Sequence, residues 1–330
     1  MSLKERDFVK IICAAGTEDP KIVRNIALIY TLAGADCIDI AANPSIVKAA
    51  CEGREAAIKI AEKMGVPVPK PPLFCISFGI EGDQHVRKAR VTEIGKNLFS
   101  LTKVCPTGAI VGGTNGEPVR VIEPLCIGAG KCALVRQGAI EFYTLKRNLP
   151  ELLPLCKAEG ADMFELHSNA GVDEEIVATW KLMNSINPDG FISMCIGRSY
   201  KSNKEVLERI EKIRAISGER TIIQTDGNPM TGESESINSG LQAVAMGDLV
   251  RKMKNPPFVI LSGGTNMKTV QLAKVAGVLI NGISFGSYAR KIVYKYITME
   301  GLLAKETELK EAVIIASEFV SKVKADLRNA

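Results

Sequence analysis

The chain has 330 residues, enough for about two domains of ordinary size or for one large barrel. With 46% hydrophobic and 24% charged residues its composition is that of a globular protein, which excludes a disordered or low-complexity chain. The 42 basic against 37 acidic residues leave a mild, dispersed charge of +5, and aromatics make up only 5%, so neither a nucleic-acid surface nor a base-stacking platform is indicated.

No stretch of about twenty apolar residues occurs, and the apolar run near the N-terminus is broken by Gly16, Glu18 and Asp19, so neither a membrane span nor an export signal is expected. Nine cysteines are present, and Cys13, Cys37, Cys75, Cys156 and Cys195 lie inside apolar runs. That placement argues against a secreted disulfide framework and for a reducing cytoplasm.

Along the chain, a short apolar strand, a Gly/Asp/Asn-rich loop and an amphipathic helix recur. Strands are expected at 8–14, 37–41 and 73–78, with helices at 20–33 and 44–64 between them. After a long interruption the rhythm resumes: helix 149–158, strand 163–167, helix 174–186, strand 191–196, helix 204–216 and strand 221–225. Helix 235–253, strand 258–261, helix 267–275, strand 278–285 and a closing helix 306–327 complete it. Eight strands separated by helical material require parallel pairing through right-handed crossovers, and eight such units favour a closed (β/α)8 TIM-type barrel over an open doubly wound sheet. Asp19 and Asn43, each just before a proline, read as helix caps.

The interruption after the third strand is too long for an ordinary loop. Short strands at 109–110, 119–122 and 139–142, with turns at Gly112–Gly113 and Asn115–Gly116, make it a small inserted α+β domain. The expected division is therefore 1–82 and 145–330 for the barrel and 83–144 for the insert. Within it, Cys105-Pro106-Thr107-Gly108-Ala109-Ile110 and the run from Cys126 to Ile140 share Gly-Ala-Ile and echo the halves of a two-cluster ferredoxin, C-x2-C-x2-C-x3-C-P. The second half retains Cys126 and Cys132, with Ala129 and Arg136 at its other two ligand positions. The first retains only Cys105, with Gly95, Leu98 and Leu101 at the positions before it. One cluster has lost its ligands. The other keeps Cys105, Cys126 and Cys132, which suits a [3Fe–4S] cluster or a [4Fe–4S] cluster with one labile iron, or else the segment is a relic fold without metal. Lys131 and Arg136 either offset thiolate charge there or are solvated loop charges.

Barrel active sites lie at the C-terminal strand ends. Those ends carry Cys13, Thr17, Glu18, Asp39, Ser77, Glu81, Glu165, His167, Asn169, Arg198, Gln224, Asp226 and Asn228. His167 beside Glu165, together with Asp226, are the candidate catalytic groups, and Asp39, Glu165 and Asp226 could hold Mg2+. His85, at the insert's entry, reads as structural. No lysine falls at a strand exit, which argues against Schiff-base chemistry. The last two strands end in Ser262-Gly263-Gly264-Thr265-Asn266 and Gly286-Ser287-Tyr288-Ala289-Arg290. Gly263, Gly264, Thr265, Gly286, Ser287 and Arg290 would cradle a phosphate-bearing ligand such as FMN, or an inorganic anion, or the glycines are structural.

Three further segments complete a wider pattern: 10–16, 34–41 and 224–230, the last reading Gln-Thr-Asp-Gly-Asn-Pro-Met. With the paired cysteine segments and the two glycine loops, they make the chain resemble the light-dependent period (LdpA-like) family over nearly its whole length. The resemblance implies a barrel with a ferredoxin-type, iron–sulfur-bearing insert and a role in sensing cellular redox state upstream of the cyanobacterial clock. By position it places the cluster ligands at Cys105, Cys126 and Cys132. An iron–sulfur, redox-responsive regulator with a phosphate- or ligand-binding barrel is thus the first expectation, with a redox or regulatory protein as partner. The second is a barrel enzyme, FMN-dependent or otherwise, acting on a phosphorylated small molecule. The third is a non-catalytic scaffold.

Overall fold

A computed structural model describes residues 2–13, 18–93, 98–114, 117–136, 138–169, 171–197, 201–227 and 237–329. Thr17, Gly95, Asn115, Gly116, Arg198 and Asn228, singled out above, lie outside the described residues.

The strands in chain order are β1 (Phe8–Ile12), β2 (Cys37–Ala41), β3 (Leu73–Gly79), β4 (Arg87–Val91), β5 (Ile110–Val111) and β6 (Arg120–Val121). They continue with β7 (Ile140–Thr144), β8 (Met163–His167), β9 (Ile192–Gly197), β10 (Thr221–Asp226), β11 (Phe258–Ser262) and β12 (Gly282–Phe285). Eight of them close a barrel in the order β1, β2, β3, β8, β9, β10, β11, β12, with every neighbour parallel. This is the expected TIM-type barrel. Its strands are Val/Ile-rich and buried on both faces, as an all-parallel sheet requires. The outward faces pack against the surrounding helices in one large apolar cluster that includes Ile11, Ile38, Phe74, Trp180 and Ile283.

The caps explain where the first two helices begin. Asp19 Oδ1 accepts from the backbone N–H of Lys21 and Ile22 at 2.9 and 3.3 Å, and Asn43 Oδ1 accepts from Ser45 N–H at 3.1 Å. Each is followed by proline at the first helical position, whose missing N–H would have had no intrahelical partner.

Among the departures from expectation are two segments of the barrel. The last barrel strand begins at Gly282, not at residue 278. Gly277, at φ +68°, and Val278 turn back to donate to Lys274 O and Ala273 O, so this stretch closes the preceding helix. Asn281 then uses its side chain to accept from Val259 N–H and to donate to Leu3 O. The short helix Ser2–Glu5 was also unanticipated; its Leu3 is fully buried beneath the barrel.

Between β3 and β8 the chain forms two small antiparallel sheets, β4 with β7 and β5 with β6. Short helices, Ser100–Val104 and Lys131–Val135, accompany them. Apolar side chains here form their own clusters, around Leu98, Leu101, Ile110 and Ala139 and around Ala89, Ala109 and Cys126, separate from the clusters of the barrel.

Candidate functional site

Side chains alternate across a strand, so every second residue of each barrel strand faces inward. At the N-terminal end the inward set is apolar: Phe8, Cys37, Cys75, Met163, Ile222 and Ile260 pack on Leu3 and close the floor. One layer higher the inward residues become polar. Lys10 Nζ lies 2.6 Å from Asp39 Oδ2, 2.7 Å from Glu165 Oε2 and 3.1 Å from Gln224 Oε1. Ser193 Oγ donates to Glu165 Oε2 at 2.6 Å, Gln224 Nε2 to Glu165 Oε1 at 2.9 Å, and Ser77 Oγ to Asp39 Oδ2 at 2.6 Å. Lys10 and Asp39 are each 1% exposed and Glu165 is fully buried. Charges so far from water persist only when paired and hydrogen-bonded.

The electrostatics follow from that burial. Burial alone pulls the Lys10 ammonium toward its neutral form, but Asp39, Cys75 and Glu165 together raise its pKa well above the ordinary lysine value. Glu165 is driven the other way: burial raises its pKa, yet Lys10 and His167 hold it well below the usual carboxylate range. For Asp39 burial prevails over Lys10, and its pKa is raised.

Above this layer stand the groups of the mouth. His167 Nε2 is 3.4 Å from Glu165 Oε1. Burial lowers the His167 pKa, but the bond to Glu165 and the fields of Asp83 and Asp226 raise it overall. Cys195 Sγ donates to Asp226 Oδ2 at 3.5 Å, and burial, then Asp226, keep its thiol protonated. The proposed catalytic residues His167, Glu165 and Asp226 thus share one end of the barrel. Asp39 and Glu165 both face Lys10, whereas Asp226 faces Cys195, so the three carboxylates expected to hold Mg2+ are divided between different partners.

His85 is brought over the mouth by the turn after β3. Its ring centroid is 3.6 Å from that of His167, and its Nδ1 lies 2.7 Å from Asp83 Oδ1. Burial, then the neighbouring His167, push its pKa down to about 4. Gly79 ends β3, and a Cβ there would lie 2.4 Å from Asp83 Oδ1, which favours glycine at this position.

The two glycine loops follow adjacent strands and lie on the same rim. Their internal bonds differ from the expected anion cradle. Gly263, at φ +72°, has Asp226 Oδ1 where a Cβ would stand, 1.6 Å away, so a carboxylate rests on that backbone. Thr265 donates its hydroxyl to Ser284 O, and Arg290 Nη1 donates to Ile12 O at 2.8 Å. Gly264 stands beside Gly263, while Gly286 and Ser287 begin the six-residue helix Ser287–Ile292.

In the segment between β3 and β8, Cys105, Cys126 and Cys132 line a single, largely apolar recess together with Ala129. Cys126 and Cys132 are buried and Cys105 half-buried; all nine cysteines of the chain are free thiols. Burial raises the Cys132 pKa, while its own and Ala133's backbone N–H groups favour the thiolate. Lys88, 1% exposed, donates to Cys126 O at 2.7 Å. Three thiols lining one recess are the donor set that a cluster with three protein ligands would use. A second cluster is not accommodated: Leu98 and Leu101 are apolar core, and Arg136 pairs with Glu93 at 3.6 Å.

Residues 155–322, half the chain, match the family described as Light dependent period A C-terminal domain. The chain belongs to that family. The protein named Light dependent period A, from Synechococcus elongatus, is 29% identical over 305 residues, covering 88% of this chain and 82% of that protein. The YdjI aldolase from Escherichia coli K12 superposes with a TM-score of 0.53 at 10% identity, covering 98% of this chain and 94% of that one. At that identity the likeness shows the barrel fold alone.

For this light dependent period A family member, sequence reasoning overlooked Lys10, Asp83 and Ser193, and read His85 as structural. Lys10 stands mid-strand, not at a strand exit, so a search of the exits passes it by. The signal was available: a lone charge at an inward position of Phe-Val-Lys-Ile-Ile demands a buried counter-charge.

Proposed function

We propose that this chain is a redox-responsive regulatory protein whose sensor is an iron–sulfur cluster held by Cys105, Cys126 and Cys132. The observation that carries the reading is the meeting of these three thiols, from segments about twenty residues apart, on one recess in an otherwise disulfide-free chain. Cluster binding would supply one-electron chemistry there; the chain's contribution is to hold three sulfurs and keep water from them. Membership in the light dependent period A family supports a regulatory role in circadian input for the whole chain, with a redox or regulatory protein as partner. Among the described residues, no helix is long and apolar enough to cross a membrane.

Anaerobic reconstitution with iron and sulfide tests this. The expected product is brown and holds roughly three or four iron ions per chain. Cys105→Ser, Cys126→Ser and Cys132→Ser should each lose the colour. Colourless, iron-free protein after reconstitution would refute the proposal.

A second reading is favoured by the Lys10–Glu165–His167 array beneath the Gly263–Gly264 and Gly286–Ser287 loops: a barrel enzyme acting on a phosphorylated small molecule, with FMN or phosphate at that rim. A flavin spectrum in the same preparation would select it. The carboxylate of Asp226 against Gly263 weighs against a dianion at that spot.

A further inference from the structure

The mouth of the barrel carries a second donor set that is independent of the cysteine recess and goes beyond the reading above. Asp83, His85 and His167 each place a ligand atom within 4.8 Å of the other two, and Glu165, His167 and Cys195 do the same. All five side chains are buried. His167 is common to both groups and so links His85 and Asp83 to Glu165 and Cys195.

The histidines are arranged as ligands are. Asp83 Oδ1 accepts from the His85 backbone N–H at 2.9 Å and stands 2.7 Å from His85 Nδ1. A carboxylate behind one ring nitrogen fixes the tautomer and leaves the lone pair on the other, which is the usual second-layer support of a metal-bound histidine. That other nitrogen, His85 Nε2, is buried and has no hydrogen-bond partner among the described residues. A buried polar atom without a partner is destabilising, so its persistence points to a group that completes it. Two imidazole rings with centroids 3.6 Å apart and tilted by 39° could not both carry a proton without strong repulsion. A cation between their lone pairs reverses the sign of that interaction.

Glu165 supplies the acidic side. Its Oε2 is occupied by Lys10 and Ser193, whereas Oε1 accepts from Gln224 Nε2 at 2.9 Å and also faces His167. A small recess lined in part by Ser77, Gly79, His85 and Arg147 lies beside the His85 ring. Imidazole donors select against Mg2+ and Ca2+, which prefer all-oxygen sites, and two histidines with a carboxylate suit Zn2+ or Fe2+.

We propose that the barrel mouth binds a divalent transition-metal ion through His85 and His167, with Asp83 positioning the His85 ring and Glu165 as the carboxylate beside His167.

Cobalt(II), a spectroscopic stand-in for zinc, tests this on the full chain. Titration should yield a d–d absorption band at one Co2+ per chain, without a thiolate-to-cobalt charge-transfer band, and Zn2+ should displace it. His85→Gln and His167→Gln should each weaken binding about 100-fold or more. Asp83→Asn should weaken it about 10–100-fold and alter the d–d band, which a purely structural residue would not do. Cys132→Ser should leave the band unchanged. Circular dichroism and thermal unfolding establish that each variant is folded; if a histidine variant is not, Asp83→Asn decides. The proposal is overturned by absence of Co2+ uptake, by a band indifferent to His85, His167 and Asp83, or by a signal that disappears in Cys132→Ser.

Discussion

Lys10 balances two buried carboxylates at once, at 2.6 and 2.7 Å. Removing one partner of a buried ionic group leaves the others uncompensated, which typically costs 3–5 kcal/mol. Lys10→Met should therefore lower the unfolding free energy by about 3–5 kcal/mol in urea denaturation, and adding Glu165→Gln should recover part of that loss. A loss in the double variant equal to the sum of the two single losses would mean that the array is not one coupled unit. At this scale the sequence was legible only in part. Glu165 and His167 stood out because they end a strand two residues apart and so share a face. Ser193 and Gln224 depended on register: Glu165 stands opposite Ser193, and Gln224 opposite Cys195, only once the barrel has closed. His85 could not be joined to His167 from sequence because the whole segment between β3 and β8 separates them along the chain.

Among the elements, helices Asp173–Ile186 and Asn203–Ser217 are joined by one aspartate. Arg209, 1% exposed, donates to Asp173 Oδ1 at 2.8 Å, to Ser168 O at 2.6 Å and to Gly171 O at 3.3 Å, and Lys212 Nζ lies 2.7 Å from Asp173 Oδ2. Burial raises the Asp173 pKa, but Lys212 and Arg209 outweigh it and hold the carboxyl below its ordinary value. The folded state therefore binds this proton less readily than the unfolded state does. Its contribution is present above the ordinary aspartate pKa of about 4 and is lost as pH falls through the folded value. Asp173→Asn should destabilise by about 1–2 kcal/mol at neutral pH, a figure kept low because the carboxyl is partly solvated, and the difference from wild type should shrink below about pH 4. Urea titrations across that range check it; a difference independent of pH would mean that charge is not the cause. Element boundaries set by caps and apolar runs could be read directly, as at Asp19-Pro20 and Asn43-Pro44. Strand β4, Arg-Lys-Ala-Arg-Val, could not: three of its five residues are cationic, and it becomes a strand only by pairing with β7.

For the molecule as a whole, the segment between β3 and β8 enters and leaves through one narrow neck. Arg87 stands opposite Thr144, and Leu145 N–H donates to Val86 O at 2.6 Å. Two antiparallel ends so close can be joined by a tight turn. Replacing residues 88–143 with Asn-Gly should leave a barrel that unfolds cooperatively and retains the circular dichroism of an α/β protein. It would lose the contacts of Glu18 N–H with Pro124 O and of Lys88 with the Cys126 loop. Failure to obtain a folded chain would show that this segment and the barrel form one folding unit, against the division at 83–144. The eight-unit repeat made the barrel legible because each strand and helix carries its own apolar period. The insert's cysteine spacing was equally visible, but spacing conveys neither pocket depth nor the hydrocarbon that fills the lost ligand positions.

The apolar floor built by Leu3 and Phe8 makes the barrel a vessel sealed at its base. Among the described residues, the Lys10–Glu165 layer is therefore approached from the opposite end, where the paired imidazoles stand. A group held between those rings would thus stand directly over this charged layer.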